Sequence, residues 1–365
     1  MLNPSSYFSP NYATARAKFL AAATAAGGAP VAYPHPLKGP EGEDLATDVV
    51  RIGPADAHRY IVLNTATHGV EGFCGSGALI GALTERLDRE LPPGVAFLMI
   101  HAINPHGFAW IRRVTEDNVD LNRNFVDFSQ PLPVNNDYAP LHPMLIPEKW
   151  DPATLAENEP KLAAERERLT PRGFQSAVSR GQYSHSDGLF FGGKAPTWSN
   201  LTLRRVLSEQ IGDATDVLFY DFHTGLGPYG TAEPISSHPP DSDGHKRLLS
   251  WIGDCVTSAQ LGTSNSTRLS GTIGFGVEQA LPKARHTRAT LEYGTKPNTE
   301  VIFALRADAW LHNHADPLVG PQAAEIKALI RDAFYRDFDD WKELVWVRAR
   351  QLVRRGMAGM AADPV

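Results

Sequence analysis

Three residues of the types that bind transition metals stand in two short, glycine-containing motifs. His68 and Glu71 occur in T-H-G-V-E-G, and His223 occurs in D-F-H-T-G. The two-residue gap between His68 and Glu71 lets both side chains reach one ion from a tight loop, and His223 supplies a third ligand from far along the chain. Two histidines and one carboxylate, with a fourth position left for water, are typical of catalytic zinc sites. The spacing therefore predicts that these three residues bind Zn²⁺, although the same donors admit other divalent ions.

Glu292, in the motif L-E-Y-G-T, is the candidate general base. A zinc ion in such a site is expected to bring the pKa of bound water toward ~7 and to polarise a carbonyl oxygen. Glu292 would take the proton of that water and return it to the leaving amine, as amide cleavage requires. A structural ion pair with Lys296 or Arg288 is the alternative role for this glutamate.

Two further motifs supply groups that suit a negatively charged substrate. Asn122 and Arg123 lie in D-L-N-R-N-F, where a guanidinium fork and a neighbouring amide can bind a free carboxylate. Arg112 and Arg113 lie in W-I-R-R-V, and one of them is expected to polarise the scissile carbonyl beside the metal while charge develops on it. The adjacent positions leave open which of the two faces the metal.

An isolated H-x-x-E match is weak evidence, because the chain has 13 histidines. Here, however, four further motifs follow in a consistent order: I-N-P-H-G-F at 103–108, D-L-N-R-N-F at 120–125, D-F-H-T-G at 221–225 and L-E-Y-G-T at 291–295. Together they resemble the zinc carboxypeptidase superfamily, the carboxypeptidase A-like funnelins that include succinylglutamate desuccinylase and aspartoacylase. The resemblance spans residues 60–295 and implies the roles given above for the metal ligands, Glu292, Asn122 and Arg123.

Two details refine this resemblance. The stretch 181–200, which contains S-H-S-D-G-L-F-F-G-G-K, resembles a bacterial branch of carboxypeptidase-like domains. Carboxypeptidase A-like enzymes usually present a mobile tyrosine some residues before the catalytic glutamate, whereas the segment 264–276 contains none. Tyr183 or Tyr229 is a candidate to take the place of this mobile tyrosine, and packing against neighbouring residues is the alternative role for each.

The elements that must position these motifs are short apolar strands separated by helices. Strands are predicted at residues 49–52, 60–64, 95–101, 217–222 and 287–292, and a helix at about 75–87. This alternation predicts an α/β fold with a mixed central β-sheet flanked by helices, and the resemblance implies a zinc-carboxypeptidase-like (phosphorylase/hydrolase-like) fold. His68 and His223 each follow a predicted strand, where sites of open α/β sheets lie.

The organisation predicted for residues 1–365 is one catalytic domain with three additions. A helical N-terminal extension is expected over 1–45, and an insertion covering the site over 126–200 with a helix at about 152–168. Terminal helices are expected over 298–356, including 324–335 and 341–355. A chain of this length can bury about three quarters of its unfolded surface, so core size does not limit the fold.

Composition narrows the function classes. A net charge of −6 argues against a nucleic-acid partner, and neither a signal segment nor a membrane-spanning stretch is apparent, so a cytoplasmic protein is expected. Cys74 and Cys255 are read as small buried hydrophobic residues rather than as a disulfide. The charge says nothing of oligomeric state.

These observations predict a zinc-dependent hydrolase, a metallocarboxypeptidase or an N-acyl amino acid deacylase. Its substrate would be a short peptide or a small molecule with an amide bond next to a free carboxylate. The alternatives are a non-catalytic zinc-containing binding or regulatory module on the same scaffold, and a purely structural zinc with an unassigned fourth ligand.

Overall fold

Seven strands form one mixed sheet in the computed structural model, which describes residues 3–363. Residues 1–2 of the predicted extension and 364–365 of the predicted domain lie outside the described residues. The strands are β1 Val31–Lys38, β2 Asp44–Ile52, β3 Arg59–Asn64, β4 Val95–His101, β5 Asp216–Thr224, β6 Ala232–Ser236 and β7 Arg285–Tyr293. Their spatial order is β1-β2-β4-β3-β5-β7-β6.

Helices surround this sheet. The α-helices are α1 Tyr12–Ala25, α2 Gly72–Thr84, α3 Pro105–Ala109, α4 His142–Leu145, α5 Pro152–Leu169, α6 Pro171–Ser179, α7 Trp198–Ile211, α8 Asp243–Ile252, α9 Ile273–Ala280, α10 Asn298–His314, α11 Ala323–Phe334 and α12 Asp339–Ala362. Short 3₁₀ helices lie at Pro4–Tyr7, Gly69–Glu71, Leu87–Glu90 and Leu121–Arg123. The predicted fold class, a mixed sheet flanked by helices, is confirmed.

Local sequence explains where several of these helices begin. Asn11 precedes α1 and its side-chain oxygen accepts the backbone N–H of Thr14 at 2.9 Å. Asp151 does the same for Thr154 ahead of α5, at 2.8 Å, and Pro152 follows it in the first turn. Such caps satisfy backbone donors that the first turn of a helix leaves free.

The central strands are apolar throughout because both of their faces are covered. Ile61 and Leu63 of β3 pack into one hydrophobic cluster, and Tyr60 and Val62 pack into another on the opposite face. Helices α1, α2 and α12 lie in the first layer, whereas α7 and α9 lie in the second. Alternate residues of a strand point to opposite faces, so a two-sided core requires a continuous apolar run.

The parallel part of the sheet determines where the functional side chains lie. Strands β4, β3, β5 and β7 are parallel, and the pairs β1–β2, β2–β4 and β6–β7 are antiparallel. In register, Asn64 pairs with Asp221, and His223 pairs with Glu292. The carboxyl ends of β3, β5 and β7 therefore meet at one edge of the sheet.

Both ends of the chain differ in detail from the sequence expectations. The N-terminal segment is not helical throughout, because β1 follows α1 and pairs with β2. Beyond residue 297 the helices α10, α11 and α12 lie close to the predicted ranges. Region 126–200 carries α4, α5, α6 and the start of α7 and no strand, and its interpretation as an insertion into a single domain stays a prediction.

Two smaller expectations are settled by burial. Cys74 is buried as predicted, but Cys255 is exposed at the end of α8, so the prediction that it is a buried hydrophobic residue is wrong. No helix within residues 3–363 is both long and apolar enough to cross a bilayer.

A buried carboxylate joins the amino ends of the same parallel strands. Asp216 of β5 is fully buried and accepts hydrogen bonds from Arg59 of β3 at 3.2 Å and from Arg285 of β7 at 2.9 Å. We expect D216N to lower the free energy of unfolding by about 3 kcal/mol, because two partly buried guanidiniums lose their shared charged acceptor. Urea unfolding measures this change. As a control, E157Q removes the exposed ion pair with Lys161 and should leave the midpoint of urea unfolding unchanged. Equal unfolding midpoints for E157Q and D216N would contradict the assigned role of Asp216.

Candidate metal centre and active site

The three predicted metal ligands converge at the sheet edge. His68 Nδ1 lies 2.9 Å from Glu71 Oε1 and 3.0 Å from His223 Nδ1, and His223 Nδ1 lies 3.1 Å from Glu71 Oε2. All three side chains are buried. Among residues 3–363, they form the single group of three or more His, Cys, Asp or Glu side chains whose ligand atoms all lie within 4.8 Å of one another. A fourth protein ligand, which a purely structural zinc would need, is therefore not found in this part of the chain.

The loop that carries His68 and Glu71 is held tightly against the backbone of residues 107–113. The 3₁₀ turn Gly69–Glu71 lies between β3 and α2, and Gly69 and Val70 donate their N–H groups to the carbonyls of Arg113 and Arg112. A Cβ atom on Gly69 would lie 2.0 Å from the backbone of Gly107. The glycine of H-G-V-E is thus required for close approach of two backbone segments.

Two aspartates, to which the sequence motifs assign no role, fix the orientation of the histidines. Asp221 Oδ2 lies 2.5 Å from His223 Nε2, and its Oδ1 accepts hydrogen bonds from Asn64 and Thr67. Asp120 Oδ1 lies 3.2 Å from His68 Nε2. A carboxylate only accepts, so with a cation at the centre each Nε2 would donate its ring proton to its aspartate and each Nδ1 would present its lone pair to the ion.

Arg113 also approaches His68, with Nη2 2.8 Å from Nε2. A guanidinium only donates, so this contact is not a hydrogen bond when Nε2 carries the proton. Arg113 is held instead by Glu71 Oε1 at 2.9 Å and Asp120 Oδ2 at 3.1 Å. We therefore assign Asp120 as the acceptor for His68.

The donor set fits a divalent cation. Two imidazole lone pairs and a carboxylate face one another at about 3 Å, an arrangement that repels itself unless a positive charge lies between them. Ligands of a tetrahedral zinc with bonds of ~2.1 Å lie roughly 3.4 Å apart, so small shifts of these side chains would accommodate the ion. The charges around the centre point the same way. When ionised, four carboxylates carry four negative charges, and the two nearby guanidiniums carry two positive charges, which leaves an excess of two negative charges. The carboxylates are those of Glu71, Asp120, Asp221 and Glu292, and the guanidiniums are those of Arg113 and Arg123.

Glu292 faces this centre from β7. It lies beside His223 in register, lines the same cavity, and its Oε1 accepts the N–H of Leu226 at 3.0 Å. The alternative structural pairings are absent in the described chain, because Lys296 pairs with Glu300 and Asp332, and Arg288 pairs with Glu278. Burial, reinforced by the negative charge of Glu71, raises the pKa of Glu292.

The carboxylates around the histidines respond differently to burial. Burial opposes ionisation of Glu71, but its two histidine neighbours, His68 and His223, lower its pKa overall. Burial likewise opposes ionisation of Asp120, and Arg113 and Arg123 hold its pKa well below the usual range. Glu71 and Asp120 are therefore the charged partners of the centre, whereas Glu292 retains affinity for a proton.

The structure separates the two adjacent arginines. Arg113 lines the cavity beside the histidines, whereas Arg112 bonds to Asp308 at 3.3 Å and to Asn118 at 2.9 Å and is not among the lining residues. The expectation that Arg112 contacts substrate is not met, because its guanidinium is engaged in a buried pair with Asp308. Neighbouring residues of an irregular segment need not share a face.

Asn122 and Arg123 both line the cavity, and their role in binding substrate stays a prediction. Asn122 Oδ1 accepts the N–H of Ile273 at 2.8 Å. Arg123 donates through Nε and Nη2 to the carbonyl of Ser179, and through Nη1 to the carbonyl of Asn122. Of the five N–H bonds of a guanidinium, one on each Nη remains free of these contacts. Phe190 packs against both Arg113 and Arg123, with distances of 5.1 Å and 5.6 Å from the guanidinium carbons to its ring centre.

Neither candidate tyrosine lines the cavity. Tyr183 donates its hydroxyl to the carbonyl of Arg123 at 2.6 Å, and Tyr229 donates to Asp340. His106 and Asn104, which lie after the third predicted strand, make no contact with the three ligands: Asn104 caps α3 and His106 stacks on Trp110. These residues support the surrounding structure.

Comparison with known proteins gives a family and a fold. The family model described as "Protein of unknown function (DUF2817)" matches residues 8–348. The chain belongs to this family. No curated protein matches it.

Among solved structures, the carboxypeptidase A of Helicoverpa armigera is similar at 15% identity and a TM-score of 0.51, over 97% of this chain and 74% of that one. The fold is thus that of the zinc carboxypeptidases, and the predicted resemblance to this superfamily is confirmed at the level of the fold. A putative carboxypeptidase of Burkholderia mallei matches at 15% identity over 94% and 70% of the two chains, with a TM-score of 0.46. The murein-tripeptide amidase MpaA of Escherichia coli O157 matches at 16% identity over 77% and 91%, with a TM-score of 0.35.

Asp221 provides a direct test of the metal centre. We expect D221N to weaken zinc binding by about 10- to 100-fold, because the amide no longer fixes the Nε2–H form of His223 as firmly as a carboxylate does. Competition with a chromogenic chelator measures the affinity. D48N alters another fully buried carboxylate, which pairs with Arg16 away from the three ligands, and should retain wild-type affinity. Equal affinity of D221N and the wild type would refute the assigned orientation.

Proposed function

We propose that this protein is a zinc-dependent hydrolase that cleaves an amide bond adjacent to a free carboxylate. The substrate is a short peptide with a free C-terminus or an N-acyl amino acid. One observation carries the proposal: His68 and His223 of the candidate metal centre, Glu292 and the pair Asn122–Arg123 all line one cavity of about 920 Å³. That volume lies within the range of small-molecule sites.

The substrate carboxylate is assigned to Asn122 and Arg123. Arg123 is buried, and its hydrogen bonds are made to backbone carbonyls, while the carboxylate of Asp120 lies farther away, 3.9 Å from Nη1. Its two free Nη hydrogens are suited to the two oxygens of a carboxylate, because charge-assisted pairs of this kind are both strong and directional. The carbonyls that hold Arg123 also restrict its rotamers, so little further order is lost when substrate binds.

Arg113 is assigned to the oxygen of the scissile carbonyl. Its side chain lines the cavity between Glu71 and Asp120, and it carries a permanent positive charge beside the three ligands. Negative charge grows on the carbonyl oxygen as water attacks. A fixed positive group in a buried site stabilises that charge without reorganisation at the moment of reaction.

Glu292 is assigned as the proton carrier. Its Oε1 is held by the N–H of Leu226, which leaves Oε2 to accept a proton from the attacking water. A raised pKa makes the carboxylate a better base than an exposed glutamate and lets it hold the proton until the leaving nitrogen takes it. A zinc ion bound by His68, Glu71 and His223 supplies Lewis acidity, which makes water more acidic and polarises the carbonyl.

The base is tested by replacing Glu292. We expect zinc-loaded E292Q to lose about 10²- to 10⁴-fold in kcat relative to the wild type, because the amide cannot accept the proton. Mass spectrometry detects release of free amino acid from a panel of short peptides and N-acyl amino acids. E116Q changes a glutamate that pairs with His35 outside the cavity and should retain activity. Comparable turnover by E292Q and the wild type would exclude Glu292 as the base, and a zinc-loaded wild type inactive on the whole panel would favour the binding-module alternative.

Carboxylate recognition is tested by a pair of changes, one in the protein and one in the substrate. We expect R123M to lower kcat/KM about 10- to 100-fold on substrates with a free carboxylate, since hydrogen bonds to charged groups contribute about 1.5–3 kcal/mol. Carboxamide analogues of the same substrates should be poor for the wild type and little changed by R123M. An equal loss on both substrate series would show that Arg123 acts on folding or metal binding rather than on the carboxylate.

A further inference from the structure

The cavity has a strongly positive lining, both beside the metal centre and farther from it. Six arginines and two glutamates line it, and lysine and aspartate are absent from the described lining; the arginines are Arg113, Arg123, Arg166, Arg172, Arg268 and Arg288. Arg172 and Arg268 donate to backbone carbonyls, and Arg166 packs over Phe174. A concave surface with this excess of positive charge attracts anions.

Arg288 is the buried member of this set outside the assigned active site. It lies on β7 four residues before Glu292, and Thr290 lies between them. Side chains at alternate positions of a strand share one face, and all three of these residues line the cavity. Arg288 is 3% exposed.

Half of the Arg288 guanidinium is already engaged. Nη1 donates to the carbonyl of Gly274 at 3.0 Å and pairs with Glu278 at 2.5 Å. The Glu278 side chain is 44% exposed, so it balances the charge of Arg288 from the solvent side. These contacts hold the side chain in place and leave its Nε–Nη2 edge unused.

That remaining edge has no acceptor among the described residues. Nε is buried without a partner. The neighbour of Nη2 is His238 Nδ1 at 3.4 Å. His238 Nε2 accepts the backbone N–H of Arg288 at 2.9 Å, and burial lowers the pKa of His238 to about 3, so the ring is neutral and carries its proton on Nδ1. Two donors therefore face each other, and neither satisfies the other.

We propose that the Nε–Nη2 edge of Arg288 binds a carboxylate on the substrate side chain. Nε and Nη2 form the fork that binds the two oxygens of one carboxylate, and buried donors without acceptors are costly unless a ligand supplies them. This inference rests on the proposed function and narrows it: the residue that carries the free carboxylate is an amino dicarboxylic acid, of the aspartate or glutamate type.

The two carboxylate sites are tied to the same short segment. Asn122 accepts the N–H of Ile273, and Arg288 donates to the carbonyl of Gly274, the next residue of α9. One helix end thus positions both groups within the same cavity. A ligand with two carboxylates can contact Asn122–Arg123 with one and Arg288 with the other.

Binding of small dicarboxylates tests the proposal without any need for turnover. Glutarate and its monoamide, glutaramate, have the same shape and differ by one charge, and calorimetry with the zinc-loaded protein gives the affinity of each. We expect the wild type to bind glutarate roughly tenfold or more tightly than glutaramate. In R288M this ratio should fall to about one, because Arg123 then binds the single carboxylate of either ligand. R205M is the matched control: it removes an arginine that pairs with Glu209 outside the cavity, and it should retain the preference.

The outcomes separate this inference from the proposed hydrolysis. Equal binding of both ligands by the wild type, or an undiminished preference in folded R288M, overturns the role of Arg288 and leaves hydrolysis standing. A preference for glutarate that R288M abolishes supports the site even if no amide is cleaved. If R288M does not fold, R288K retains the charge but loses the fork, and we expect a preference several-fold below that of the wild type. A preference unchanged in R288K overturns the proposal.

Discussion

The accumulation of buried negative charge at one sheet edge is the constraint on which the rest of the site depends. Glu71, Asp120 and Asp221 surround two histidines whose lone pairs face each other at 3.0 Å. Such a cluster is unfavourable without compensating positive charge, because burial removes the screening of water. Arg113 and Arg123 supply part of that charge, and a divalent cation fits the remainder. Burial, reinforced by the negative charge of Glu71, raises the pKa of Glu292, so a basic carboxylate lies beside the candidate metal ligands.

Parallel strand register is what brings this charge together. His223 and Glu292 are separated by many residues in sequence, yet they are paired across β5 and β7. Asn64 of β3 pairs with Asp221 of β5, so the hydrogen bond from Asn64 to Asp221 links the strand before His68 to the residue that orients His223. At the opposite ends of the same strands, Asp216 joins Arg59 and Arg285. Buried carboxylates thus link the strands at both ends: Asp216 at the amino ends, and Asp221 at the carboxyl ends beside the candidate site.

The sequence was sufficient to predict the central strands and the three candidate metal ligands that the fold brings together, and physical reasons explain what it did not predict. Long apolar runs such as β4 are buried on both faces and are easily recognised, whereas the missed strands β1 and β6 are edge strands that contain Pro34, Pro36 and Pro234. Asp221 was identifiable in principle, since residues two apart on a strand share a face and His223 follows it by two. Which of Arg112 and Arg113 faces the metal centre could not be predicted from the sequence, because the answer depends on Asp308, which is distant in sequence and pairs with Arg112.

Substrate choice is less visible in sequence than catalysis because it depends on donors that remain unsatisfied. Metal ligands and bases are recognised by residue type and spacing, whereas Arg288 has an ordinary context in the strand R-H-T-R-A-T-L-E-Y. Its significance comes from three contacts that only the fold creates: Glu278 and Gly274 occupy Nη1, and neutral His238 offers Nη2 a donor rather than an acceptor. Since Arg288 and Glu292 share one face of β7, any shift in that strand would move the proton carrier and the side-chain site together. The proposed base and the proposed side-chain site are therefore linked through a single buried strand.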